Sequence, residues 1–325
     1  MRITDRLVKS SRSPEFPSIL ILVTVILLNA LLQKNFFAIN VIHVNLLTFT
    51  PLILISMGQA VIVLTGGIDL SVGQQVSLIN VILAVMMQNA GDNRAVVVLA
   101  MLVALVVALG MGFVNGFAAG YLNLPPMIAT FATSAIWFGI ALIILPSPGG
   151  SVPAWLVQSF SWAFSVISTS LIVIVLAYLF WLLIVRRRPL GRYIYAVGSN
   201  EAAAFASGVN TRRVKIMAYM LGSFFVLLGA MAITFQSASG DARLGAAYTL
   251  TSIAAVVVGG IALKGGRGNV IGAVIGAIVL NMVINLIYFA NIPSEYQEFT
   301  KGATIILALT MAVIYRQREA RSQVV

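Results

Sequence analysis

The sequence predicts an all-α, polytopic membrane protein of about ten transmembrane helices, with both termini cytoplasmic. Three observations carry this prediction. Of 325 residues, 60% are hydrophobic and only 9% are charged, whereas about a quarter of the residues of soluble domains are charged. Several apolar runs reach the length of roughly 18–20 residues that marks a spanning helix. Lysine and arginine are also shared very unevenly between the segments that separate those runs.

The expected spans are 18–33, 44–65, 72–88, 95–118, 127–145, 162–185, 214–235, 249–263, 270–290 and 301–315. Each is read as a helix because, in hydrocarbon, backbone N–H and C=O groups must pair within their own segment. The N-terminus (1–17) carries Arg2, Arg6, Lys9 and Arg12. The run after it, Ile19–Leu32, has the composition of a signal peptide. No small-residue cleavage site follows it, so it is read as a retained first helix. Ten spans place both termini on one side. Sixteen of the twenty lysines and arginines then fall on one set of segments, including 186–213 and the tail 316–325. Only Lys34, Arg94, Arg243 and Lys301 fall on the other, with Asp92, Asp241, Glu295 and Glu298. The basic side is the cytoplasmic one. The net charge of +11 is thus explained by orientation in a lipid bilayer and calls for no nucleic acid. The chain 1–325 reads as one transmembrane domain.

Small residues recur every fourth position at Gly112, Gly116 and Gly120, and again at Gly268, Gly272 and Gly276. That spacing lines one helix face with glycine and lets a neighbouring backbone approach closely. Asn281 and Asn285 sit one turn apart, largely away from the second glycine face. A faint internal echo links GGIDLSVG (66–73) with GGIALKGG (259–266), each followed by an apolar span.

The stretch LTGGIDLSVGQQ (64–75) contains Asp69, the only acidic residue between Glu15 and Asp92. A carboxylate at the bilayer centre costs roughly 2.5–3.5 kcal/mol on insertion scales, so Asp69 is not expected to face lipid. Gly66 and Gly67 are read as ending one helix, and Asp69 or Ser71 as capping the next. Ser71 to Gln74 has the S-x-x-Q spacing of a capping box. The turn is rich in glycine and lacks lysine and arginine, so it is expected to be sunk below the surface and lined by protein or water.

The longest basic segment ends a span at Arg186–Arg188, and Pro189 and Gly191 are read as helix breakers. Asn200 is then a good N-cap, Glu201 suits a helix N-terminus, and Gly208 is a natural stop. The resulting short helix presents Ala202, Ala203, Phe205 and Ala206. It is too short to be stable alone. It either lies on anionic lipid or docks into a partner, and its small apolar face favours docking.

No G-x-x-x-x-G-K-[ST] occurs, so no phosphate-cradling loop is present. GGIALKGGRG has the wrong spacing for one. There is no cysteine, which excludes disulfides and thiolate metal sites. The single histidine, His43, has no acidic cluster beside it in sequence and is read as interfacial. No Ser-His-Asp set can be assembled. The chain is therefore expected to be neither an enzyme nor a holder of metal or cofactor. An ion-coupled secondary transporter of a small polar solute is the alternative reading. Such carriers bury ionisable relays in their spans, and these spans are nearly free of them. Polar pathway candidates are Gln59, Asp69, Asn115, Asn123, Thr130, Gln236, Asn281 and Asn285, with Trp137 and Tyr248 as aromatic surfaces. For each, an ordinary interhelical hydrogen bond or an interface anchor is the competing explanation.

Four stretches carry a resemblance to a known family. They are GQAVIVLTGGIDLSVG (58–73), GFVNGFAAGYLNLPPMIATFAT (112–133), GRYIYAVGSNEAAAFASGVNTRRVK (191–215) and YTLTSIAAVVVGGIALKGGRGNVIGAVIGAIVLNMVINL (248–286). Together the chain resembles the permease subunit of bacterial ABC importers for simple sugars, the ribose-type branch related to branched-chain amino-acid permeases. The resemblance implies a transport subunit in the bacterial inner membrane, moving a monosaccharide or similar polyol inward. It implies cytoplasmic ATPase subunits that bind the ATP, a second permease copy or homologue, and an extracytoplasmic sugar-binding protein. A short cytoplasmic helix of such permeases inserts into the ATPase. Asn200, Glu201, Ala202, Ala203, Phe205 and Gly208 correspond to it here. In the general importer pattern three residues separate Glu-Ala-Ala from glycine, whereas here four intervene.

Overall fold

The computed structural model describes residues 16–164 and 167–293, with single positions 296, 299, 302, 303, 306 and 310 beyond them. The expected tenth span (301–315) and both basic tails lie largely outside the described residues. The first helices are α1 (Phe16–Leu32), α2 (Ile39–Leu64), α3 (Val72–Met87), α4 (Arg94–Gly120) and α5 (Pro126–Ile144). A short α6 (Ala154–Ser161) leads into two-residue strands β1 (Ala163–Phe164) and β2 (Ile167–Ser168), paired antiparallel with Ala163 opposite Ser168. Next come α7 (Thr169–Leu179), extended by a π-helical turn over Phe180–Arg186, then α8 (Pro189–Ser199) and α9 (Glu201–Ala206). The last are α10 (Thr211–Ser237), α11 (Ala246–Val258) and α12 (Val270–Phe289). Six of these are long and apolar enough to cross a membrane: α2, α4, α5, α7 with its extension, α10 and α12. The protein is a multi-pass helical membrane protein.

The core forms around α2. Every residue from Phe49 to Leu64 is buried, so this helix meets protein on all sides, as continuous apolarity predicts. It also contains Pro51. Proline has no N–H to donate four residues back, which frees the Leu47 carbonyl. The Gln236 side-chain amide of α10 donates to that carbonyl at 2.7 Å. A neighbouring helix thus supplies the bond that the proline removes.

Helix α10 packs on α2, α3 and α4. A Cβ added to Gly112 would lie 2.7 Å from Met220 Cα, and one on Gly116 would lie 2.6 Å from Ile216 Cα. One on Gly120 would lie 2.9 Å from the Arg212 carbonyl. The expected glycine face therefore exists, and α10 is its occupant. On α12 the face comprises Gly272 and Gly276, packed on the Gly259 and Ala255 carbonyls of α11. Gly268 precedes the helix and rests on Ile261 instead. Outward faces are apolar and exposed, as at Ile128, Phe131 and Ile143 of α5.

The loops sort to two ends. At one, Gly66 meets Lys264, Gly266 N–H donates to the Leu64 carbonyl at 3.0 Å, and Gly198 packs on both loops. This end gathers Arg186–Arg188, Arg192, Arg212, Arg213, Lys215, Lys264 and Arg267. At the other, Gly149 and Gly240 form a two-way backbone bridge, and Ser151 N–H reaches the Ala84 carbonyl at 3.3 Å.

Three expectations need correction. The span 162–185 begins later, at Thr169, because the paired strands β1 and β2 take up its start. The span 249–263 stops at Val258, because the positive-φ Gly260 (φ 89°) closes it. Pro189 does not break a helix but opens one, α8, from an extended Arg188. A proline at the first helical position loses no bond and arrives with helical φ. Buried Ile194 and Val197, with Leu190 packed beside the core, mark its inner face.

Candidate functional site

The glycines of the 64–75 stretch each answer a local demand. Gly66 has φ 84°, and it ends α2 in a Schellman turn with Gly66 N–H on Val63 O (2.9 Å) and Gly67 N–H on Ile62 O (3.3 Å). A Cβ on Gly67 would lie 2.6 Å from the Tyr219 hydroxyl, and one on Gly73 would lie 2.5 Å from the Gly245 carbonyl. The same turn recurs at the end of α11, with Gly260 N–H on Val257 O (3.0 Å) and Ile261 N–H on Val256 O (3.1 Å). The sequence echo is therefore structural, with Gly66 matching Gly260, one residue off the simple alignment.

Asp69 is fully buried. Its Oδ1 accepts from Ser71 N–H (2.7 Å) and the Ser71 hydroxyl (2.6 Å). Its Oδ2 accepts from Gln75 Nε2 (3.0 Å) and Asn115 Nδ2 (3.1 Å). Ser223 donates to Gln75 Oε1 at 2.7 Å, and Thr133 donates to Asn115 Oδ1 at 2.7 Å. Thr130 accepts Leu70 N–H at 2.9 Å. One carboxylate thus ties α3, α4, α5 and α10 together. The only ion pair among the described residues joins Lys215 and Glu201, so Asp69 is stabilised by charge-assisted hydrogen bonds rather than by a cation. Asn115 stands five residues before the end of α4, which puts Asp69 about 7–8 Å inside the basic end at 1.5 Å per residue. The carboxylate is enclosed by protein, while Gly66 of the same turn is exposed.

The expected capping box does not form. The Ser71 hydroxyl turns back to Asp69 and makes no cap bond, and Gln74 Oε1 has no partner among the described residues. Gln75, one helical turn from Ser71, is the partner instead. Sequence reading missed Ser71, Gln75, Thr133 and Ser223 as members of this network. The i, i+4 pair Ser71–Gln75 was the available signal.

The remaining candidates separate. Gln236 serves the Leu47 carbonyl and Asn285 donates to Asn45 Oδ1 at 3.1 Å. Asn281 and Tyr248 line a cavity of about 490 Å³ between α2, α11 and α12, with Leu52 and Thr251. Trp137 is outside that lining, and Asn123 is a loop residue with φ 52°. Gln59 is fully buried five residues before the end of α2, and neither of its side-chain polar atoms has a partner among the described residues. His43 borders a cavity of about 70 Å³ beside Trp162 and Ser168.

At the basic end, Asn200 Oδ1 accepts Ala203 N–H at 3.0 Å and so caps α9. Gly208 has φ 83° just past the helix. Ala204 faces inward, whereas Ala202, Ala203 and Ala206 are exposed and Phe205 is 71% exposed. Lys215 of α10 holds Glu201 at 2.6 Å. Arg212 lies 5.5 Å from the Tyr121 ring centroid.

The structure is thus a helical membrane bundle with a buried polar network around Asp69 and a capped short helix at its basic end, and comparison with known proteins places it among membrane transport components. The chain belongs to the family described as the branched-chain amino acid transport system permease component, whose profile matches residues 42–309. It is similar to the galactose/methyl galactoside import permease protein of Haemophilus influenzae, 31% identical over 308 residues that cover 89% of this chain and 91% of the relative. It is likewise 31% identical over 261 residues to the ribose import permease protein of Bacillus subtilis, covering 79% and 80%. The autoinducer 2 import system permease protein of Salmonella choleraesuis is 32% identical over 298 residues, covering 90% and 83%. No solved structure matches the chain.

Proposed function

We propose that this chain is the membrane-spanning subunit of an ATP-driven importer that carries a monosaccharide or similar small polyol inward across the bacterial inner membrane. Family membership and the named sugar-import relatives support the class. ATP hydrolysis belongs to a separate subunit. The observation that carries the coupling mechanism is α9. It is a six-residue helix, too short to persist without a partner, yet it is capped, tied to α10 by Lys215 and turned outward with Phe205 bare.

In this reading the basic end is cytoplasmic, ten spans bring both termini there, and α9 docks into the ATPase through Ala202, Ala203 and Phe205. Closure of two ATPases on a pair of permeases pushes α9, and α10 transmits the push to α2, α3 and α4, on which it packs. The opposite end, with the 146–161 segment, receives the sugar-binding protein. Reconstitution in liposomes tests this. The permease with its ATPase and binding protein is expected to accumulate sugar only with ATP. Accumulation by the permease alone under a proton or sodium gradient would establish the ion-coupled alternative.

A further inference from the structure

A transport subunit for a neutral sugar needs an uncharged, hydrogen-bonding foothold inside the bundle. Among the described residues, three buried polar atoms in the basic-end half of α2, eight and five residues before Leu64, have no partner: Ser56 Oγ, Gln59 Nε2 and Gln59 Oε1. Both residues are fully buried. Buried polar groups are almost always paired, because leaving them unpaired is costly. Here they lie next to each other, one turn apart.

Their position can be fixed from the helix. Asn45, Leu52, Ser56 and Gln59 share one face of α2, at i, i+7, i+11 and i+14. Asn45 accepts from Asn285 of α12, and Leu52 lines the cavity between α2, α11 and α12. The face therefore looks toward α11 and α12. Ser56 and Gln59 stand about 6 and 10 Å beyond Leu52 toward the basic end.

A second cavity, of about 520 Å³, opens at that basic end and is lined by Val257 of α11 and Ile261 just past its end, with Ser199 and Lys264. The first cavity reaches Thr251 of the same helix. Thr251 and Val257 are six residues apart, about 9 Å along the axis. Neither Ser56 nor Gln59 lines either cavity; counted from Leu52, which lines the first cavity with Thr251, Ser56 falls within this gap and Gln59 at its basic edge. Both cavities have the size of small-molecule sites, roughly 300–1,000 Å³.

We infer that Ser56 and Gln59 form the central foothold of the translocation path, which runs along α11 from the Thr251–Asn281 cavity to the Val257–Ile261 cavity. The ligand class is a neutral polyhydroxyl solute. A carboxamide offers two donors and an acceptor, and a serine hydroxyl offers one of each plus a lone pair to spare. That set matches adjacent sugar hydroxyls, which also donate and accept. It carries no charge that would bind the passing solute too tightly.

This inference rests on the importer reading, and one experiment separates the two. The complete complex, permease with ATPase and binding protein, is reconstituted in liposomes and tested with labelled D-ribose and D-galactose. No ATP-dependent uptake by the wild-type complex would count against the importer reading itself. With wild-type uptake in hand, Gln59→Leu is expected to lower it at least fivefold while the ATPase still co-purifies. A smaller loss overturns the foothold. Should Gln59→Leu fail to assemble, Ser56→Cys decides. The chain has no cysteine, so labelling by a small methanethiosulfonate reagent is free of background. Labelling that rises during ATP turnover and falls with excess sugar supports the foothold. Labelling absent under all conditions, or indifferent to turnover, identifies a static internal pair and overturns it.

Discussion

Gln236 of α10 donates its amide to the carbonyl of Leu47 in α2, at 2.7 Å, and does so because Pro51, four residues on, cannot. Gln236→Leu should therefore leave a half-buried carbonyl unpaired and cost about 1 kcal/mol. The same substitution in a Pro51→Ala background should cost much less, since an alanine N–H can reclaim Leu47. Thermal unfolding of the purified variants in detergent reads both. Equal losses in the two backgrounds would show that the bond is incidental.

Asp69 and Asn115 are partners in a network whose members cannot be removed independently. Asn115→Ala is expected to cost on the order of 2 kcal/mol, and Asp69→Ala on the order of 3, because the latter removes the acceptor of four hydrogen bonds and leaves Gln75 and Asn115 only the Ser71 hydroxyl. The double variant should cost less than the sum by roughly 0.5–3 kcal/mol. Additivity in a double-mutant cycle would dissolve the claimed network into separate bonds.

Two glycines of α4 should behave oppositely. Gly116→Ala drives a methyl group into Ile216 Cα at 2.6 Å and must part α4 from α10, whereas a Cβ at Gly110 meets nothing within 4 Å. Gly110→Ala is expected to be neutral or to stabilise by up to about 1 kcal/mol through helix propensity. Gly116→Ala is expected to lower the melting temperature clearly. Matching melting temperatures for the two variants would remove the glycine face as a packing device.

At α9, Ala203→Arg should abolish co-purification with the ATPase and leave the melting temperature of the permease unchanged, because Ala203 is exposed and only Ala204 points inward. Glu201→Gln should alter stability by less than about 1 kcal/mol, since the Glu201 side chain is 49% exposed and exposed ion pairs contribute little. Full association of the Ala203→Arg variant with its ATPase would move the docking surface elsewhere.

Much of this could be read from the sequence, and the exceptions have physical causes. Hydropathy located the long helices because hydrocarbon forces both apolarity and helicity on the same residues. The α9 cap was legible because Asn200, Glu201 and Gly208 act locally. The 64–75 turn was legible as a glycine-rich helix break but not as a hub. Its partners Asn115, Thr133 and Ser223 lie on three other helices, and no spacing rule reaches across a bundle. Gln236 looked like a lining residue because the proline it compensates is 185 positions away. The amphipathic α8 was hidden by Pro189 and Gly191, whose usual effect as breakers is reversed at a helix start.

The short helices have a consequence for biogenesis. At 16 and 13 residues, α3 and α11 extend about 24 and 20 Å, less than the roughly 30 Å of hydrocarbon a solitary helix must bridge. Neither can rest in lipid by itself while the chain is being threaded. Each follows or precedes a long apolar partner across a positive-φ glycine turn, α2 before Gly66 and α12 after Gly260. The insertion machinery thus handles α11 and α12, which pack on each other, as one hairpin, whereas α3 packs on α4, α5 and α10 rather than on α2 and reaches its final depth only once they are in place, with Gly266 N–H on the Leu64 carbonyl as the latch between the two glycine turns.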